Sequence, residues 1–392
     1  MGTAYGAFIP VYLTGQAWTQ TQIGLALTIG TVVSALCQVP AGMWVDAAGP
    51  LRRRALWLSI IIIGLTPLVF AALPRQLPVM LALGLQSAAG TLLSPTIAAV
   101  SLAVAGTAGL GERLGRNARY GSIGAGLGAA VMGVISTWFS HQAVLLAAAA
   151  LLPLALFAIA RIGPDRVVVT PPSEIVEVKG WRAPFALLRD RRILVFATGL
   201  MLFQLSSIAV LQLAAVEVTA RVGARSGLVI AAFIIVPQAI VALAAPWIGA
   251  MAEQHGRRII LIVGFATTPL RALGFMLIGN PVALIGVQVL EGAGGAAFGV
   301  MMPLVAADLT RGTRHYTLCL GLLSLAATAG AALSTVLAGF VADRMGRPAA
   351  FFVLAVAGLL ATVLIAVAFP ETRPPALAIS PERQDAGEQT PA

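Results

Sequence analysis

Residues 42–54 read GMWVDAAGPLRRR, and residues 249–258 read GAMAEQHGRR. Both run Gly, three residues, an acid, two residues, Gly, then arginines. In the first copy these are Gly42, Asp46, Gly49, Arg52 and Arg53. In the second they are Gly249, Glu253, Gly256 and Arg257. A third copy, GFVADRMGR, spans 339–347. Asp46 and Glu253 lie 207 positions apart, about half the chain, so the pattern reads as an internal duplication. Each part of the pattern has a physical use. The first glycine lets two helices approach closely at a membrane edge. The second suits a left-handed turn after a helix. The acid can cap a neighbouring helix start and pair with arginine.

The surrounding composition is that of a membrane protein. Of 392 residues, 59% are hydrophobic and 10% charged, and the mean hydropathy is +0.93. A soluble domain carries about 25% charged residues. A soluble enzyme, a disordered chain and a nucleic-acid-binding module are therefore excluded. The net charge of +10 belongs to loops that orient the chain in a membrane, with no nucleic-acid partner. Apolar runs of helical length fall at 1–14, 21–42, 54–73, 78–106, 118–138, 141–161, 192–215, 226–248, 259–278, 281–307, 316–339 and 349–369. The first is short: 14 residues span about 21 Å of a ~30 Å hydrocarbon core. This predicts a start codon upstream, with roughly 10 or more residues preceding Met1.

The expected architecture is all-α and integral to the membrane, with twelve transmembrane helices in two pseudo-symmetric six-helix halves and helix 1 truncated. The halves are 1–161 and 192–369. A cytoplasmic linker, 162–191, joins them, and 370–392 reads as a disordered tail rich in proline and polar residues. Within the linker, WRAPFALLRDRR mixes apolar residues with arginines and predicts a short amphipathic helix on the inner face. With the amino terminus inside, the short inner loops carry ten arginines: 52–54, 113, 116, 119, 257, 258, 311 and 314. The outer loops carry five: 75, 221, 225, 344 and 347. This asymmetry puts both termini in the cytoplasm of a multi-pass inner-membrane protein. Cys37 and Cys319 lie in apolar runs and form neither a disulfide nor a metal set.

On the duplicated loop and the twelve runs, the chain resembles the major facilitator superfamily of secondary transporters. The resemblance covers essentially the whole chain. It implies that Gly42, Asp46, Gly49, Arg52 and Arg53 form a conformational-switch loop. By half-symmetry the role extends to Gly249, Glu253, Gly256 and Arg257. Two residues separate Gly49 from the arginines, which leaves the partner arginine open. Motifs of the drug–proton antiporter branch are missing: Leu83 stands where an Arg would be, and Ala129 where a Pro would be. In the fifth helix, Gly121, Gly124 and Gly128 have the spacing for close helix packing.

Ionisable groups at mid-membrane are functional candidates by default. Arg271 and Glu291 fall at matching depth in helices 9 and 10 and predict an ion pair. The pair is either a structural tie or a coupling and solute site on Glu291. Glu217 is a weaker coupling candidate. By the resemblance, helices 1, 4, 7 and 10 line the cavity, which brings in Tyr5, Tyr12, Gln86, Gln204, Gln212 and Gln288. Gln238 joins them from helix 8. Each glutamine either faces the cavity or bonds a neighbouring helix. Asp308 and Arg311 read as a solvated loop pair. The expected function is secondary transport of a small neutral or amphipathic solute by alternating access, as proton-coupled efflux, by a monomer in the lipid bilayer. Uptake of a small metabolite is the alternative, and a membrane sensor or enzyme a remoter one. No cofactor is implied, and no nucleotide-binding loop G-x-x-x-x-G-K-[ST] appears.

Overall fold

The structure, a computed structural model, describes residues 8–48, 51–106, 109–161, 182–222 and 226–373. The elements are α1 (Phe8–Gly15), α2 (Gln20–Ala47), α3 (Arg52–Ala72), α4 (Gln76–Ala105), α5 (Leu110–Trp138), α6 (His141–Ala150), α7 (Leu152–Ala160), α8 (Arg182–Leu187), α9 (Arg191–Val222), α10 (Ser226–His255), α11 (Arg257–Leu277), α12 (Pro281–Leu309), α13 (Tyr316–Met345) and α14 (Arg347–Ala368). Among the described residues there is no strand, and 11 helical stretches are long and apolar enough to cross a membrane. The stretch from His141 to Ala160 counts as one span. It breaks at Leu151 because Pro153 enters α7's first turn, where a missing N–H costs least.

Helix starts differ in where their caps come from: Asp190 accepts from Arg192 N–H at the start of α9, while α4 and α14 begin with no side-chain bond from their own cap residue. Three helices starting at the end away from the arginine loops carry their own caps. Thr19 and Gln22 form a capping box on α2, Ser140 accepts from Ala143 N–H, and Asn280 accepts from Val282 N–H. At the arginine-loop end, α3, α5, α11 and α13 begin with no side-chain bond from their own cap residue. Their exposed N–H groups need partners from elsewhere.

Packing follows the halves at one end and ignores them at the other. One buried cluster (Tyr12, Phe70, Leu83, Leu145 and neighbours) belongs to the first half, and another (Val210, Phe233, Phe275, Leu354) to the second. The largest cluster joins them, bringing Val45, Leu110 and Leu114 against Leu304, Cys319 and Leu323. Outside, Leu36, Leu243, Trp247 and Val367 stand exposed, as apolar side chains facing lipid do.

The apolar runs placed the spans well but ended several too soon. The fifth run was expected from 118, whereas α5 begins at Leu110. Glu112, Arg113 and Arg116 stopped the hydropathy signal while the helix continues past the membrane edge. The tail was expected to be disordered from 370, but Glu371–Arg373 are bound to α11, as described below; 374–392 lie outside the described residues. Of the linker, only α8 and the turn after it are described. α8 buries Ala183 and Pro184 and exposes Phe185.

Close helix crossing within the second half depends on Gly330, where an added Cβ would collide with the Met201 carbonyl of α9. Overpacking a tight contact costs about 1–3 kcal/mol. Gly330→Leu is therefore expected to lower the thermal unfolding midpoint in detergent. Gly339→Leu, on the same helix but with nothing within 4 Å, is expected to leave it unchanged.

Candidate functional site

The two halves meet at the arginine-loop end through two related helix crossings. In the first, α2 lies against the start of α13. Asp46 accepts the Thr317 and Leu318 N–H groups at 2.9 and 2.8 Å. Thr317 Oγ1 donates back to the Gly42 carbonyl at 2.7 Å. A Cβ on Gly42 would collide with the Thr317 carbonyl, and one on Gly321 with the Gln38 carbonyl. In the second, α10 lies against the start of α5. Glu253 accepts the Gly111 and Glu112 N–H groups at 2.7 and 3.3 Å through a single oxygen. A Cβ on Gly249 would collide with the Gly111 carbonyl, and one on Gly115 would lie 2.5 Å from the Ala245 carbonyl. Each acid thus completes a helix start on the opposite half.

The contacts continue toward mid-membrane. Gln38 donates to Thr328 Oγ1 at 2.8 Å, about 14 Å from the end of α2 at 1.5 Å per residue. Gln238 comes within 3.9 Å of where a Cβ on Gly126 would sit, about 26 Å from the end of α10.

The arginines of the loops are held locally. Arg52 donates to the carbonyls of Val45 and Asp46 at 2.8 and 3.1 Å, while Arg53 Nε is buried without a partner. Arg257 binds the Ala252 carbonyl and forms a buried pair with Asp308 at 2.9 Å, each side chain 3% exposed. Arg311 pairs with Asp308 at 3.3 Å as expected, but Asp308 is buried rather than solvated, because α12 carries it under the loop against Arg257. Gly256 and Gly346 take φ of +99° and +86° with ψ of 166° and 163°, not the left-handed helical turn expected but an extended positive-φ backbone that glycine alone adopts readily. Gly49 lies outside the described residues.

Glu371 was not anticipated. Its carboxylate accepts Arg257 N–H at 2.8 Å and Arg258 N–H at 3.1 Å, capping α11. Arg373 N–H and Thr372 N–H bind the same group. Burial raises the Glu371 carboxyl pKa, but the N–H donors outweigh it and hold the group below the ordinary glutamate value. The available signal was an acid directly after the last span, in FPETR.

A second polar cluster lies deep in the second half. Arg271 of α11 is 2% exposed, and NH1 meets Glu291 Oε2 of α12 at 2.5 Å. Arg271 Nε donates to Gln288 Oε1 at 2.9 Å, and NH1 also reaches the Ser207 carbonyl at 3.1 Å and Oγ at 3.3 Å. Ser207 Oγ donates to Glu291 Oε2 at 2.9 Å. Gln288 is fully buried and donates to the Phe233 carbonyl at 3.1 Å. Four helices are thereby tied to one guanidinium. Glu291 itself is 33% exposed.

The other expected cavity residues divide. Gln204 and Gln238 are half-buried, Gln212 is exposed, and none of the three bonds another described residue. Gln86 is half-buried with its Oε1 buried and unpaired. Tyr12 is not a lining residue: it is 5% exposed and donates to the Phe70 carbonyl at 3.2 Å. Gln288 is a clamp on Arg271 rather than a cavity amide. Tyr5 and the Glu217 side chain lie outside the described residues. Two of the three packing glycines also need correction. Nothing lies within 4 Å of a Cβ built on Gly121 or Gly124, and Gly128 is half-buried. The tight glycines of α5 are Gly111 and Gly115, in the charged turns that ended the hydropathy run.

Comparisons place this arrangement among known proteins. The family model described as Major Facilitator Superfamily matches residues 1–242 and 222–391. The chain is 27% identical over 378 residues to an uncharacterized MFS-type transporter of Mycobacterium tuberculosis, matched in two strains; the match covers 94% of this chain and 89% of that one. A crystal structure of the E. coli fucose:proton symporter superposes with a TM-score of 0.72 at 15% identity, covering 93% of this chain and 95% of that one. A human organic anion transporter gives 0.65 at 16%, covering 93% and 89%. These two likenesses are of fold.

Two outcomes follow from the caps. Cys319 is fully buried beside the Asp46 cap. In a Cys37→Ser background, Asp46→Ala is expected to speed labelling of Cys319 by N-ethylmaleimide. Losing a cap costs about 0.5–2 kcal/mol, or roughly two- to thirtyfold in an opening equilibrium. For Glu371, the folded carboxyl titrates below its unfolded value. Its stabilisation is therefore complete above the ordinary glutamate pKa and is lost as pH falls through the folded pKa. Urea unfolding is expected to show Glu371→Gln less stable than the native protein at neutral pH, with the gap closing on strong acidification.

Proposed function

Because the chain belongs to the Major Facilitator Superfamily and is a secondary transporter by that membership, we propose that it moves a small neutral or amphipathic solute across the cytoplasmic membrane by alternating access, as proton-coupled efflux. The observation that carries the reading is the pair of crossings at the arginine-loop end. Each is held by carboxylate-to-backbone bonds between halves, which can break and reform without disturbing either half's core. In the proposed cycle these close the cytoplasmic side, and the loops of Gly42–Arg53 and Gly249–Arg257 switch it. The arginine asymmetry between loops supports cytoplasmic termini. The unbonded amides Gln204 and Gln238 supply neutral hydrogen-bonding groups at mid-membrane, near where solute sites of such folds lie. Glu291 is the acid best placed to carry a coupling proton. Uptake of a small metabolite is the second reading, supported by the fold's likeness to a fucose:proton symporter.

The test is proton flux in liposomes holding a pH dye, challenged with amphipathic compounds and small metabolites. An export-linked proton signal that disappears in Glu291→Gln is the expected result. A signal that survives the substitution removes Glu291 from coupling.

A further inference from the structure

We infer that Glu291 is a built-in counter-ion that masks Arg271 from solutes, so that the site selects hydrogen-bond donors and turns carboxylates away; this rests on the proposed solute site lying at Glu291. Arg271 is buried behind Glu291, and its named donors are spent inside the protein. Nε goes to Gln288, and NH1 to the Ser207 carbonyl, to Ser207 Oγ and to Glu291 Oε2. Glu291 occupies the place an incoming carboxylate would need.

The pair is also polarised. Its cationic end is 2% exposed and its anionic end 33% exposed. Glu291 Oε2 is occupied by Arg271 and Ser207, whereas Oε1 accepts no bond from a described residue. What an approaching molecule meets is therefore a bare carboxylate oxygen of a pair that is neutral overall. A hydroxyl, an amide N–H or a protonated amine can donate to it. A carboxylate or phosphate meets like charge and gains nothing from a guanidinium it cannot reach. Removing the Glu291 carboxylate reverses this. It vacates the only acidic partner of Arg271 among the described residues and opens a path from the exposed side to NH1. A solute carboxylate can then replace it, forming the strong charge-assisted hydrogen bond such pairs give.

The experiment uses the full-length protein in detergent and equilibrium dialysis of radiolabelled benzoate, benzyl alcohol and benzylamine, which share a ring and differ in the polar group. Native protein is expected to bind the alcohol or the amine more tightly than benzoate; the two donors separate a neutral from a cationic preference. Glu291→Ala is expected to gain at least tenfold in benzoate affinity, about 1.4 kcal/mol, and benzoate is expected to raise its unfolding temperature. Glu291→Ser serves if the alanine variant does not fold. Arg271→Leu combined with Glu291→Ala is expected to lose the gain. A monodisperse Glu291→Ala or Glu291→Ser that binds benzoate no better than native protein overturns the inference, as does a gain that persists without Arg271. Either result with proton flux intact in the native protein leaves the transport reading standing, whereas absent flux in the native protein with a benzoate gain in the variant counts against transport alone.

Discussion

A helix start leaves four N–H groups without partners inside the helix, and near hydrocarbon each unpaired group costs several kcal/mol. The rest of this structure is arranged around that debt at one end of the bundle. Helices α5, α11 and α13 begin there without a side-chain cap of their own. Glu253, Glu371 and Asp46 supply the missing acceptors from distant chain segments. For α5 and α13 the acceptor belongs to the other half, so joining the halves and completing those helices are one event. The glycines at the crossings follow from this: a carboxylate reaches a backbone N–H only if nothing larger than hydrogen separates the helices.

The Arg271 cluster obeys the same rule in a different place. A lone guanidinium at mid-membrane is prohibitive, and breaking a buried pair typically costs 3–5 kcal/mol. Here the charge is spread over a carboxylate, an amide, a hydroxyl and a carbonyl from two neighbouring helices. Such a cluster holds α9, α11 and α12 at fixed spacing, and through Gln288 holds α10 as well.

Most of the fold was legible in the sequence because hydropathy records which segments meet lipid. The duplicated loop was legible because it is local. That its acid could cap a neighbouring helix start was readable; which start was not, since Asp46 caps backbone N–H groups that any residue at 317 or 318 would provide. Arg271 and Glu291 were readable as a pair because charge in an apolar run is rare, but Ser207 and Gln288, ordinary residues in a span, gave no sign of joining them. The glycine signal in α5 misled in an instructive way. The apolar series at 121–128 looked like a packing face, while Gly111 and Gly115, equally spaced for one, sat among charges that hid them. Tyr12 and Glu371 show the same limit: a side chain's partner across 58 or 114 positions leaves no local trace.

The two crossings are copies of one another, yet they differ. Asp46 engages two N–H groups with two oxygens, and Thr317 Oγ1 adds a return bond to the Gly42 carbonyl, whereas Glu253 engages its pair with one oxygen. On the proposed cycle both must part before the cytoplasmic side opens, so their strengths add in the barrier. Duplication thereby gives evolution two independent dials on turnover. Either can drift toward weaker or stronger holding while the solute pocket, and hence what is carried, stays as it was.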